Sequence, residues 1–369
     1  MQRTILVALF LIAPFGAFAD TADPPFEETT FKAEVVSVES SGTRIVEGTD
    51  LSETYQFIAV RIKEGTRKGE VVSFENSTPV QLERGDDFYL HLIPAEMGGP
   101  EMWSVWDPDR SGVLLILAGL FIVVAVLVAG MAGLRSLFAL AASFALIIFG
   151  LVPALLAGYQ PVLTSIVFGV VILALSMFMT HGINRPTGIA LLGSFIALVV
   201  AAALAHFSVV AAKLTGLASD EAAYLNFSSA GTIDLTGLLL GGILVGIIGI
   251  LNDVSVSQVH TVAELRDANP NLTRAQVWRR SMKVGREHMG AVVNTLPLAY
   301  AGVSLPLLLL FSESSAPLSF IVNREVFAAE IIRALAGSIG LMLSGAIATV
   351  LAVWLLVPIR ARGIISKNQ

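Results

Sequence analysis

The chain contains no cysteine among its 369 residues. That excludes a disulfide framework, a thiolate metal site and a cysteine nucleophile. Charge is scarce as well: Asp, Glu, Lys and Arg together make up 14%, against roughly a quarter in soluble domains. What charge there is crowds into the first 110 residues and into the gaps between long apolar runs. The net charge of −6 therefore averages two dissimilar objects and gives no argument for nucleic acid as a partner. There is no Gly-x-x-x-x-Gly-Lys-Ser/Thr phosphate loop, no serine nucleophile elbow and no paired-histidine metalloprotease motif. These absences predict a chain that is not an enzyme and holds neither a cofactor nor a metal.

What is present is apolar. Hydrophobic residues account for 55% of the chain, and the apolar runs are of membrane length. The first 19 residues read as a signal peptide: Arg3 supplies a positive start, Ile5 to Phe15 a short apolar core, and Ala17-Phe18-Ala19 a small-residue cleavage site. The apolar core is shorter than the roughly 20 residues a span needs. The segment after this peptide is expected to be delivered outside.

Residues 20–93 change to a β pattern and are read as an extracytoplasmic domain. Phe31 to Glu39 and Gln56 to Lys63 alternate apolar and polar residues, as half-buried strands do. Glu70 to Glu75, Pro79 to Leu82 and Asp87 to Ile93 complete five expected strands, enough for a small all-β barrel of SH3 or OB type. Residues 94–112, with Gly98-Gly99-Pro100, Trp103 and Trp106, read as a linker reaching the membrane surface, where tryptophan is favoured.

About seven transmembrane helices come next, within residues 113–360: Val113–Met131, Leu134–Leu156, Val162–Met179, Gly188–Val210, Leu235–Leu251, Met289–Phe311 and Ala334–Val357. The fold class is thus an α-helical polytopic membrane protein with a small N-terminal all-β domain. An exported N-terminus sets the first span running inward, and alternation sets the others. Charge bias points the same way. Arg135, Arg185, Arg266, Arg274, Arg279, Arg280, Lys283, Arg286, Arg360, Arg362 and Lys367 fall on expected cytoplasmic segments, and only Lys213, Arg324 and Arg333 fall outside. Residues 361–369 are then a cytoplasmic tail and the bacterial plasma membrane is the expected location. Gly237, Gly241, Gly242 and Gly246 on span five, and Ala336, Gly340 and Ser344 on span seven, predict close helix approaches.

Polar groups at apolar helix ends carry the functional reading. Asn252, Asp253, Ser255, Ser257 and Gln258 lie within seven residues at the end of span five, where an unpaired carboxylate is costly. Asn294 and Thr295 sit inside span six beside Pro297, and Pro306 lies further along. Each proline removes a helical N–H and frees a carbonyl, as in the broken helices of transporter sites. These residues are the expected transport path or gate. Asn323, Glu325, Glu330 and Arg333 form a charged outer approach. Residues 252–288 form a cytoplasmic segment in which Glu264 and a basic helix capped by Thr273 (Arg279, Arg280, Lys283, Arg286) offer a docking surface. His260 and Glu264 are one turn apart, too few ligands for a metal.

The run Asn252-Asp253-Val254-Ser255-Val256-Ser257-Gln258 resembles the YibE/F-like family of bacterial membrane proteins. So do Glu264-Leu265, Ala268-Asn269-Pro270, Gly285-Arg286, Met289-Gly290, Asn294-Thr295-Leu296, Ala299-Tyr300-Ala301-Gly302, Leu305-Pro306, Asn323-Arg324-Glu325, Glu330-Ile331-Ile332-Arg333 and Gly337-Ser338-Ile339-Gly340-Leu341. The likeness is strong over the membrane region and weaker over Gly69 to Asn76 and Gly85-Asp86. Asn252 departs from the small or apolar residue expected before the aspartate. The resemblance implies a multi-pass protein described as a predicted permease, and it supplies no substrate. The expected function is therefore a permease for a small solute or ion, with the lipid bilayer and a cytoplasmic protein as partners. The alternative is a non-transporting scaffold or regulator that docks partners through the exported domain and the cytoplasmic segment. A weaker alternative is the membrane subunit of an ATPase-coupled system.

Overall fold

A computed structural model describes residues 29–45, 48, 52–93 and 101–358. The expected signal peptide, Gly98-Gly99-Pro100 and the C-terminal Arg360, Arg362 and Lys367 lie outside the described residues. The chain divides into two compact units, Met1–Val124 and Ala125–Gln369.

The first unit is built on one antiparallel sheet of five strands: β1 (Thr30–Ile45), β2 (Ser52–Ile62), β3 (Val71–Asn76), β4 (Asp87–Ile93) and β5 (Met102–Pro108). They lie in the order β3-β2-β1-β4-β5, and β3 also lies against β5. Alternation decides what is inside. Phe31, Ala33 and Val35 of β1 are buried with Ile58, Val60 and Ile62 of β2 and Phe88, Leu90 and Leu92 of β4, while Lys32 and Glu34 face out. The register of β1 against β2 shifts between Val35 and Ser37 and again between Val38 and Ser40. Such bulges bend a strand, and β1 pairs with β4 over Thr30–Glu34 and with β2 from Ala33 to Ile45.

The expected strand over Pro79 to Leu82 is irregular chain instead. Side-chain amides replace a ladder there. Gln56 accepts from the Leu82 N–H (2.9 Å) and donates to the Leu82 carbonyl (3.1 Å). Asn76 donates to the Val80 carbonyl at 2.9 Å and accepts from the Thr78 N–H at 3.0 Å. Leu82 thereby plugs the core without pairing. The fifth strand is β5, inside the segment expected to be a linker. It escapes a periodicity reading because Val105 is its one fully buried residue, with Trp103 half-buried against Phe31 at a centroid distance of 6.0 Å.

The sheet runs into helix with two residues between. Asp109 accepts from Lys32 at 2.6 Å and from the Ser111 N–H at 2.9 Å, and its own N–H donates to the Asp87 carbonyl at 2.8 Å. The Lys32 hydrogen bond, followed by those of Ser111, holds the Asp109 carboxyl down at about 2.

Helix α1 (Ser111–Leu146) is interrupted at Gly130, whose φ of 58° and ψ of −136° are not helical. That conformation is open to glycine because it has no Cβ. A π-turn (Ile147–Leu151) and α2 (Val152–Leu156) come next, then α3 (Pro161–His181), α4 (Arg185–Ala211), α5 (Asp220–Ser228), α6 (Leu235–Ala268), α7 (Arg274–Val292), α8 (Thr295–Val303), α9 (Leu305–Ser312), α10 (Leu318–Asn323) and α11 (Glu325–Leu356). Their starts are written in the sequence. Gln160, Asn184, Asp234 and Thr273 each cap a backbone N–H of α3, α4, α6 and α7 respectively, and Thr273 forms a reciprocal capping box with Gln276.

Five helices are long and apolar enough to cross a membrane, or six if the bent pair Arg274–Val303 and Leu305–Ser312, angled at 65°, is one span. The centre of this unit is α4, α6 and α11, with α3 against α6. Small residues set their spacing. A Cβ on Gly193 would stand 3.1 Å from Ala348, one on Gly340 would stand 2.9 Å from Ala201, and Gly241 faces Ser165. In the expected sixth span the prolines fall in the first turns of α8 and α9, where no helical N–H is needed. The Val293 carbonyl that Pro297 leaves free accepts from Ser338 Oγ of α11 at 3.4 Å.

Candidate functional site

The second half of α1, α3 and α6 do not close on one another completely. They leave a half-open cavity of about 740 Å³. Gly133, Ser136, Leu140, Ser143 and Phe144 of α1 recur at intervals of three and four residues, so one helical face supplies them. The same spacing brings Ile172, Leu173, Ser176 and Thr180 from α3, and Val245, Ile248, Gly249 and Asn252 from α6, with His181 and Asp253 beside them. Most of the wall is aliphatic. Polar groups gather where α6 reaches Asn252 and Asp253 and α3 ends at Thr180 and His181.

Asp253 is exposed to this space. Its carboxylate takes one hydrogen bond among the described residues, from Asn252 Nδ2 at 3.3 Å. His288 of α7 lies within electrostatic reach. The Asn252 Oδ1 is buried and accepts no hydrogen bond. Ser143 Oγ is already committed to the Ala139 carbonyl at 2.8 Å, which leaves Ser136, Ser176 and Thr180 as the hydroxyls facing the cavity. His181 contacts His260 of α6, ring centroids 5.7 Å apart. His260 in turn lines a shallow groove with Ser257, Thr261 and Glu264. Polar side chains therefore continue along α6 from Asp253 through Ser257 and His260 to Glu264.

The other residues expected in a path lie elsewhere. Gln258 is fully buried on another side of α6, accepting from Thr349 Oγ1 at 3.0 Å and packed on Gly285. It joins α6, α7 and α11 and does not reach the cavity. Asn294 and Thr295 are exposed at the break between α7 and α8. Nor does the outer quartet converge. Asn323 donates to the Ser319 carbonyl at 2.6 Å. Glu325 clasps the loop before α5, accepting from the Thr215 N–H and the Gly216 N–H at 2.7 Å each. Glu330 pairs with Arg333 at 2.9 Å, and the Arg333 guanidinium lies over the Tyr300 ring at 5.6 Å. Tyr300 and Glu330 line a second, mainly apolar cavity of about 280 Å³ with Pro297 and Phe327. On α7, Val277, Ser281, Gly285 and Met289 are buried at four-residue spacing, while Arg279, Arg280, Lys283 and Arg286 are exposed.

Ser136, Ser176, Thr180 and His181 are not distinguished by their sequence context. A small hydroxyl residue on an apolar helix is ordinary. The spacing of four between Ser176 and Thr180 is the one signal, and it acquires meaning when Asp253 faces it. Among the described residues no group of three or more His, Asp and Glu side chains is placed to hold a metal ion.

The architecture is that of a helical membrane protein carrying a small antiparallel sheet ahead of its apolar helices. Within that class the chain belongs to the YibE/F-like protein family, whose model matches residues 117–358. The match covers the helices that form the cavity, and the sheet precedes it. No curated protein and no solved structure matches the chain.

Proposed function

We propose that this chain is a permease-like protein of the bacterial plasma membrane, with the α1–α3–α6 cavity as part of its path for a small solute or ion. One observation carries this reading: an aspartate and an asparagine of an apolar helix face a 740 Å³ space. An ionisable group on such a helix is rare unless it serves a path or a partner. Asp253 and Asn252 would contact the solute, while Ser257, His260 and Glu264 would line its exit. Gln258 would hold α6 against α7 and α11. Asn294 and Thr295 would act through the broken helix. The seven-span topology is supported by three features taken together: five candidate helices, one bent pair, and a non-helical Gly130 that divides α1. The strand order, with β3 against β5, favours the OB over the SH3 arrangement for the exported sheet.

The exposed basic face of α7 favours a second activity at the cytoplasmic end. Arg279, Arg280, Lys283 and Arg286 enter no salt bridge among the described residues, as suits a surface for anionic lipid or an acidic protein. A scaffold would need this face and not the cavity.

The deciding measurement is the ion and metabolite content of cells expressing wild type, Asp253→Asn or Asn294→Leu at matched membrane levels. The permease reading expects wild type to shift one solute class and Asp253→Asn to abolish the shift. Asn294→Leu should weaken it less. Coincident profiles in a strain that depends on the protein, with function lost instead in a variant neutralising the α7 arginines, would establish the scaffold.

A further inference from the structure

The donor atoms around Asp253 define a ligand class. Asn252 turns its amide nitrogen to the Asp253 carboxylate at 3.3 Å. The reverse orientation would set oxygen against oxygen, so the chemistry fixes which atom is which. The Asn252 Oδ1 is left buried with no donor, and a buried carbonyl oxygen without a partner is costly. Asp253 has no Lys or Arg partner in any salt bridge among the described residues, and its only hydrogen bond comes from a neutral amide. One carboxylate and one amide oxygen thus lack a positive partner beside a cavity that also presents the Ser176 and Thr180 hydroxyls.

We infer that Asn252 and Asp253, with the hydroxyls of Ser176 and Thr180, form a site for a small monovalent metal cation of the sodium type. The inference rests on the cavity being the path proposed above, and it names what binds there. Hard oxygen donors select alkali and alkaline-earth cations over the softer metals. A single carboxylate balances one positive charge. A divalent ion bound in an apolar surround would need a second, and among the described residues no other Asp or Glu lines the cavity. His181 of α3 lines the same cavity, with His260 of α6 against its ring.

The test is equilibrium binding of radioactive Na⁺ to the purified full-length protein in micelles at about pH 8. N-methylglucamine balances the ionic strength. Wild type should bind saturably, and Mg²⁺ should compete poorly. Asp253→Asn, which keeps the shape, should weaken binding by at least ~10-fold, and Asn252→Ala by a smaller factor. Asn252→Asp supplies a second carboxylate and should move the preference toward Mg²⁺ or Ca²⁺. That gain cannot come from an unfolded variant. Absence of saturable Na⁺ binding overturns the site, as does binding that Asp253→Asn leaves unchanged or that Mg²⁺ displaces more readily than Na⁺. The site and the permease reading fail separately. Na⁺ binding without any solute shift in cells removes the permease and keeps the site, whereas a solute shift without Na⁺ binding does the reverse.

Discussion

Replacing Asp109 by asparagine tests how the sheet is secured at the start of α1. Asparagine caps a helix about as well as aspartate, so the Ser111 N–H keeps an acceptor. What disappears is the charge facing Lys32, 2.6 Å away. A carboxyl held at about 2 against an ordinary 3.8 contributes at most ~2.4 kcal/mol. The Asp109 side chain is only 7% exposed, but that of Lys32 is 25% exposed, so solvent screens the pair. A contribution of ~1–1.5 kcal/mol is the magnitude to expect. The folded value lies below the ordinary one, so the stabilisation is complete above about pH 5 and is lost as pH falls toward 2. About half of it should be gone near pH 3. Lys32, raised mainly by its hydrogen bond to Asp109, keeps its charge throughout this range. Native-state hydrogen exchange on peptides from β1 and β5, corrected for intrinsic rates, reads the opening free energy in the full-length protein. Wild type should exceed Asp109→Asn by the stated amount at pH 7, and the two should converge by about pH 2. A difference that persists unchanged at low pH refutes the ionic account, because the asparagine would then be failing by shape. No difference at pH 7 shows the pair to be fully screened.

Two further substitutions test the packing of the helices. Gly193→Leu should destabilise by ~3 kcal/mol or more, since its Cβ alone would stand 3.1 Å from both Cα and Cβ of Ala348 on α11; Gly188→Ala on the same helix meets nothing within 4 Å and should be neutral or gain ~0.5–1 kcal/mol. The thermal transition in micelles separates them, and equal effects would refute the close α4–α11 crossing. Thr349→Val should cost about 1 kcal/mol, because it removes a hydroxyl shared between buried Gln258 and the Gly345 carbonyl, and Gln258→Leu in the same background should recover most of that loss. Failure of the double variant to recover would mean that Gln258 answers to some other partner.

The parts of the molecule that are legible in the sequence are those that repeat. Alternation places β1, β2 and β4, and apolar length places the long helices, although the break in α1 falls at Gly130, inside the first expected span and just before the expected gap after Met131. What stays hidden depends on a single side chain reaching across the chain. Nothing in Pro79 to Leu82 shows that Gln56, more than twenty residues earlier, will bond to both backbone groups of Leu82. The polar run of α6 shows the same limit from the other direction. Asn252, Asp253, Ser257 and Gln258 look like one cluster in sequence. At about 100° per residue, however, Gln258 lies well around the helix from Asp253, whereas Ser257, His260 and Glu264 succeed it at intervals of three and four. Helical spacing alone therefore divides the run into a face that lines the cavity and a residue that packs. What spacing cannot supply is which neighbour each face meets. Asp253 becomes a candidate ligand because α3 brings Ser176 and Thr180 opposite it, and Gln258 becomes structural because α11 brings Thr349. The two amide- or acid-bearing residues, five positions apart on one helix, differ in role through what stands across from them.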